Sequence, residues 1–231
     1  MSTINSLLFS IIALDESKTT LFFKIFTKVL QNIILNISLP IYGEKIMSYS
    51  VDKQLPRKNS LILIDIQEKI LRPIFNKDLI TKNIKKLLNA YEILDENIFL
   101  SEQNPIKLGK TIPDLLPKGG FKRIEKMEFS LANSQEFIKE LNKKKITNII
   151  ICGIETHICI QQTVLELIST GYEVILISDA TGSRNKLDHE IALQRMIHKG
   201  AILTTTESII FELCKTANRK EFKEISNIIK N

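Results

Sequence analysis

An α/β fold built on a parallel sheet follows from three features of the sequence. Strand-like and helix-like segments alternate from Leu61 to Leu203, the order that lays helices on both faces of a parallel sheet. The stretch Asn148 to Gly153 is apolar without alternation, four of its six residues being Ile or Cys. That pattern suits a strand buried on both sides. A chain of 231 residues is long enough to bury the core of such a domain.

Residues 1–46 differ from the rest. Asp15, Glu16, Lys18, Lys24 and Lys28 break their apolar runs, and no run reaches the roughly 20 residues of a spanning helix. The segment has no Arg and no basic start followed by a small-residue cleavage site, so it is a poor leader. Two readings stay open: an amphipathic helix over Thr20 to Leu35 that covers an apolar surface, or residues upstream of a true start at Met47. Residues 47–231 form the domain proper.

Within it, Leu61 to Ile66 reads as a buried strand interrupted by Asp65. A carboxylate there is costly unless paired; it either caps the next turn or serves as an acid/base at the sheet's edge. A helix is expected from Lys77 to Leu94, with Ile80, Ile84, Leu87, Leu88 and Tyr91 on one face. Asn97 to Ser101 is the second strand. Glu102 to Pro117 is a long loop, with Glu102 and Gln103 either lining a pocket or solvated. Phe121 to Lys126 is a short third strand. Asn133 and Glu136 look like a capping box for a helix through Leu141. The central strand, Asn148 to Gly153, leads by a tight turn to a helix starting near His157 and ending at Gly171. Tyr172 to Ser178 is the fifth strand and Asp179 to Arg184 a polar loop. Lys186 to Lys199 is a helix, Ala201 to Leu203 a last strand, and two helices near Glu207 to Thr216 and Arg219 to Lys230 close the chain.

Composition narrows the function. The net charge of +6 is modest, and the lysines are scattered with no aromatic-interleaved patch, so no nucleic-acid partner is expected. Three cysteines without a CxxC pair fit a reducing, cytoplasmic compartment rather than a disulfide or zinc framework. No GxGxxG or GxxxxGK[ST] occurs at a strand-to-helix turn, so nucleotide binding is a poor reading.

Three side chains fall at the carboxyl ends of strands, where open α/β sheets keep their sites: Asp65, Lys126 and Cys159. They form a coherent chemical set. Cys159, at a helix N-terminus that favours a thiolate, attacks an electrophilic carbon. Asp65 takes and returns the proton, and Lys126 holds the carboxylate ionised. Backbone N–H groups of the turn are placed to hold an oxyanion. His157, two residues from the thiol, is an alternative base. Cys152 and Cys214 read as inert packing.

The segments LILIDIQ, EQNPIKLGKTIPDL, KMEFSLA, GIETHICIQQTVLEL and SDATGSR are together similar to the isochorismatase-like cysteine hydrolases, over about Ser60 to Lys230. The resemblance is nearest to the isochorismatase domain-containing proteins. It implies a Rossmann-like three-layer sandwich with six parallel strands in the order 3-2-1-4-5-6, and an Asp65–Lys126–Cys159 triad. It also implies a non-proline cis peptide at Ile154–Glu155, which would aim the N–H of Glu155, with that of Cys159, at the oxyanion. The substrate pocket would lie between Asp65, Gln103, Phe129 and Glu155. A homo-oligomer acting on a small-molecule substrate is implied too. The nicotinamidase branch holds a metal with histidines placed before the Lys; the first 156 residues here contain no His. No metal and no other cofactor is therefore expected. The namesake isochorismatases cleave a vinyl ether without a thiol, so Cys159 points to an amide-like or ureido substrate. A non-enzymatic, protein-binding member that keeps the fold is the competing reading.

Overall fold

The computed structural model describes residues 58–230, and the expectations for residues 1–46 lie outside the described residues. The sheet has six parallel strands in the order β3-β2-β1-β4-β5-β6. They are β1 (Asn59–Ile64), β2 (Asn97–Gln103), β3 (Lys122–Lys126), β4 (Asn148–Ile154), β5 (Glu173–Gly182) and β6 (Ile202–Thr204). The helices are α1 (Glu68–Leu71), α2 (Lys77–Ile93), α3 (Pro105–Leu108), α4 (Gln135–Lys144), α5 (Gln161–Ser169), α6 (Lys186–His198), α7 (Thr206–Cys214) and α8 (Phe222–Lys230). Among the described residues no helix is long and apolar enough to cross a membrane.

Period two along the central strands divides the core into two layers. Leu61 and Leu63 of β1, with Ile150 and Cys152 of β4, face a cluster completed by α2, α7 and α8. Ile62, Ile64, Ile149 and Ile151 face the other cluster, with Phe137 and Leu141 of α4 and Val164 and Leu167 of α5. All five apolar positions expected on α2 are buried. Each such side chain contributes about 1.5–3 kcal/mol relative to exposure.

Several boundaries move for physical reasons. β2 runs on through Glu102 and Gln103, which are buried: Glu102 accepts from the N–H and hydroxyl of Thr111, both at 2.8 Å. α4 is capped by Ser134, which accepts from Phe137 N–H at 3.3 Å, rather than by Asn133. β5 takes in Asp179 to Gly182, expected as loop, because its pairing with β4 shifts register between Ile151 and Gly153. Asp179 in that bulge accepts from the N–H and hydroxyl of Thr206 at 2.8 and 2.9 Å, which anchors α7.

Candidate active site

The carboxyl ends of four adjacent strands converge. Ile64 of β1 pairs with Ser101 of β2 on one side and Gly153 of β4 on the other. Gly153, with φ of 138°, allows this approach, since a Cβ there would collide with the backbone of Ile64. Asp65 follows directly, in the left-handed region at φ 55°. Its side chain accepts from Ser101 Oγ on Oδ1 and from Lys126 Nζ on Oδ2, each at 2.7 Å. It caps no turn; the carboxylate is wholly engaged across the sheet edge.

Lys126 ends β3, two strands away from β1, and its long stem crosses β2 to reach Asp65. Gln103, its register partner on β2, supports the crossing. Nζ donates to Asp65 Oδ2 at 2.7 Å, to Gln103 Oε1 at 2.7 Å and to Phe129 O at 3.1 Å. All three ammonium protons are thereby spent. Gln103 Nε2 donates to Met127 O at 2.7 Å, so its amide is tied into the Lys126 network at both ends. The Phe129 side chain is half-exposed; its carbonyl is the part that meets the site.

Cys159 enters from the turn after β4. The chain does not begin an α-helix at His157: Thr156–Ile160 is a π-helical turn, and α5 starts at Gln161. Such turns recur at functional sites. Thr163, one turn on, donates to Cys159 O at 2.7 Å and accepts from Leu131 N–H at 2.9 Å. Ser130 donates to Glu166 Oε2 at 2.6 Å. These bonds dock the segment after Lys126 against the polar side of α5, the side that carries the thiol. No cis peptide is found among the described residues. The expected one at Ile154–Glu155 is replaced by a left-handed Glu155 at φ 57°, which makes the turn itself. Among the bonds formed by the described turns and caps, none uses the N–H of Glu155 or Cys159 as donor.

Asp65, Lys126 and Cys159 are 1 %, 5 % and 5 % exposed, so their interactions run through a water-poor medium. The thiol is held well above its ordinary pKa. Burial is the main cause; the Asp65 carboxylate adds to it by charge and hydrogen bonding, Lys126 opposes it, and Glu155 adds a little. The thiolate favoured by helix position alone is overturned, because desolvation and a facing carboxylate outweigh a helix dipole. The sulfur rests protonated beside a base. Iodoacetamide labelling of Cys159 should therefore keep accelerating above about pH 9, past the range where an ordinary thiol levels off. A plateau below about pH 7, read by mass spectrometry, would instead reveal a resting thiolate. Cys159 should also react ahead of the fully enclosed Cys152, whose thiol burial likewise pushes up. Both shifts have the same sign for folding: their contribution is complete below the unfolded value of about 8.5 and falls as pH rises.

Sequence reasoning missed two features beside the turn. Glu155 is buried and pairs with Arg184, Nε to Oε1 at 2.7 Å. His157 Nδ1 lies 3.0 Å from Ser183 Oγ and 3.4 Å from Glu155 Oε2, and its Nε2 lies 4.0 Å from Asp188. Both ring nitrogens thus have neighbours other than the thiol, which weakens the Cys–His alternative. Oε2 of Glu155 is left without a hydrogen-bond partner. Among the described residues no three His, Cys, Asp or Glu side chains group as a metal site.

A doubly wound parallel sheet with this strand order, carrying a buried Cys, Asp and Lys at its carboxyl edge, defines a Rossmann-like hydrolase. The isochorismatase domain model matches residues 59–208, and the chain belongs to the isochorismatase family. It is 38 % identical over 190 residues to isochorismatase family protein 1B of Dictyostelium discoideum, covering 80 % of this chain and 92 % of that one. It is 37 % identical over 182 residues to isochorismatase domain-containing protein 2A of Mus musculus, covering 78 % and 87 %. Among solved structures, the MAR1 ribonuclease of Caenorhabditis elegans superposes with a TM-score of 0.72 at 33 % identity, over 76 % of this chain and 91 % of that one. The YcaC gene product of Escherichia coli shares the fold, with a TM-score of 0.66 at 20 % identity over 75 % and 92 %.

Proposed function

We propose that the protein is a metal-independent cysteine hydrolase of a small amide-like or ureido substrate. The observation that carries this reading is the buried ion pair of Asp65 and Lys126, at 2.7 Å, set against a thiol that the same carboxylate acts on. Asp65 takes the proton from Cys159 as the sulfur attacks the carbonyl carbon, so no free thiolate builds up. The N–H groups of Glu155 and Cys159 receive the negative oxygen. Asp65 then passes its proton to the departing nitrogen, the C–N bond breaks, and an amine or ammonia leaves behind a thioester on Cys159. Water, deprotonated by Asp65, attacks that thioester and releases the carboxylic acid; the proton returns to the sulfur. The sum is an amide plus water giving an acid plus an amine. Lys126 balances the charge of the carboxylate between steps.

We extend the proposal to a cytoplasmic setting, consistent with three free cysteines, and to self-association; the Escherichia coli neighbour is an octamer. The test is a panel of small primary amides and ureido compounds, with acid quench and intact-mass analysis. One or more members should release amine or ammonia and leave an acyl mass on the Cys159 peptide. Because the nematode neighbour carries the name ribonuclease, RNA belongs in the panel. Cleavage of RNA that depends on Cys159, with every amide inert, would replace the amide reading. A stable protein partner in a pull-down, with no turnover of anything, would favour the non-enzymatic alternative.

A further inference from the structure

We propose that Ser101 is a positioning residue that fixes the plane of the Asp65 carboxylate for proton transfer with Cys159. This rests on the cysteine-hydrolase reading above. An aspartate carboxylate turns about its last bond with only broad, shallow preferences. One anchor at Oδ2, from the Lys126 ammonium, leaves that rotation open. A second anchor at Oδ1 closes it, and Ser101 supplies it at 2.7 Å.

Ser101 is built to do this. It is fully buried, it sits within β2 in register with Ile64, the residue before Asp65, and it holds Asp65 twice. Its carbonyl accepts from Asp65 N–H at 3.2 Å while its hydroxyl donates to Oδ1. The main-chain contact pins a residue in a left-handed conformation that L residues rarely adopt; the side-chain contact sets the direction of its lone pairs. A neutral hydroxyl also orients the carboxylate without adding a second cation to it. A lysine or arginine in its place would bind the carboxylate more tightly and blunt it as a base. A hydroxyl on a rigid strand therefore suits a group that must both hold still and take a proton.

The probe is p-nitrophenyl acetate, whose leaving group needs no protonation, so that acylation isolates proton removal from the thiol. Wild-type protein should form an acetyl-Cys159 adduct with release of p-nitrophenolate. Ser101→Ala should slow the acylation rate constant by about 10–100-fold, the loss that follows misplacement of a catalytic group by about 1 Å, with KM within about twofold. Ser101→Thr, which keeps the hydroxyl, should return to within about threefold of wild type. Rates are scaled to the folded fraction measured by circular dichroism, so that a loss of folding alone does not register. Acylation by Ser101→Ala at the wild-type rate, or Ser101→Thr as slow as Ser101→Ala, overturns the assignment to Ser101 and leaves the hydrolase reading standing. No acetyl-Cys159 in the wild type overturns the hydrolase reading, and this inference with it.

Discussion

Cys159→Ala is expected to abolish turnover, by a factor on the order of 10⁶ in kcat, the scale for removing a covalent nucleophile whose partners then have nothing to activate. Its stability should change by only about 1 kcal/mol, because one sulfur leaves a buried site while the surrounding bonds persist. Thr163 still holds the residue 159 carbonyl, and the Asp65–Lys126 pair does not use the sulfur. The variant should still bind substrate, since no backbone donor of the turn is removed. The measurement is kcat and KM on whichever amide or ureido compound the wild type cleaves, beside a thermal melt. Residual activity within tenfold of wild type would rule out the thiol as the attacking atom. Asp65 acting directly on water would then become the simpler chemistry, the carboxylate and its lysine being complete without Cys159.

The sheet was legible because its central strands β1 and β4 are buried throughout. Six strands and all the longer helices follow from runs such as Leu61 to Ile64 and Ile149 to Cys152, and from the α2 stripe. What misled was polarity at strand ends. Glu102, Gln103, Asp179 and Thr181 read as loop residues, yet they lie in strands: Glu102 accepts from Thr111, Gln103 accepts from Lys126 and donates to Met127 O, and Asp179 accepts from Thr206. Asp65 was legible for the same reason in reverse: it is a charge in an apolar strand, tolerable only with a partner, and the structure pairs it with Lys126, a lysine that carried no such signal by itself. Ser101 carried a signal that went unused. It stands two residues before Gln103 on the same face of β2, so period two alone places both side chains toward the lysine's path. The raised pKa of Cys159 was not legible, since helix position predicts the opposite sign, and burial together with the Asp65 carboxylate decides it. The pairing of Glu155 with Arg184 was not legible either, because it joins residues far apart in sequence.

Lys126→Met should cost both stability and activity, and the two losses can be separated. Methionine keeps much of the stem's volume but removes the ammonium, stranding Asp65 as a carboxylate that is 1 % exposed. Breaking one side of a buried ion pair costs about 3–5 kcal/mol, because the remaining charge keeps its desolvation penalty and loses its compensation. Gln103 Oε1 and Phe129 O lose their donor as well. Turnover should fall by about 10²–10³-fold, as when one preorganised electrostatic partner is deleted. Adding Asp65→Asn removes the stranded charge while Ser101 can still donate to the amide oxygen. The double variant should therefore recover most of the lost stability in urea denaturation, a coupling energy of at least about 2 kcal/mol in a double-mutant cycle. It should recover no turnover, since an amide cannot take a proton from the thiol. Additive stabilities would mean that the two residues, though 2.7 Å apart, are not an energetic unit. Active Asp65→Asn protein would mean that the base lies elsewhere. The expected split, stability restored and chemistry still absent, marks a charge pair kept for what the carboxylate does and not for the energy the pair contributes.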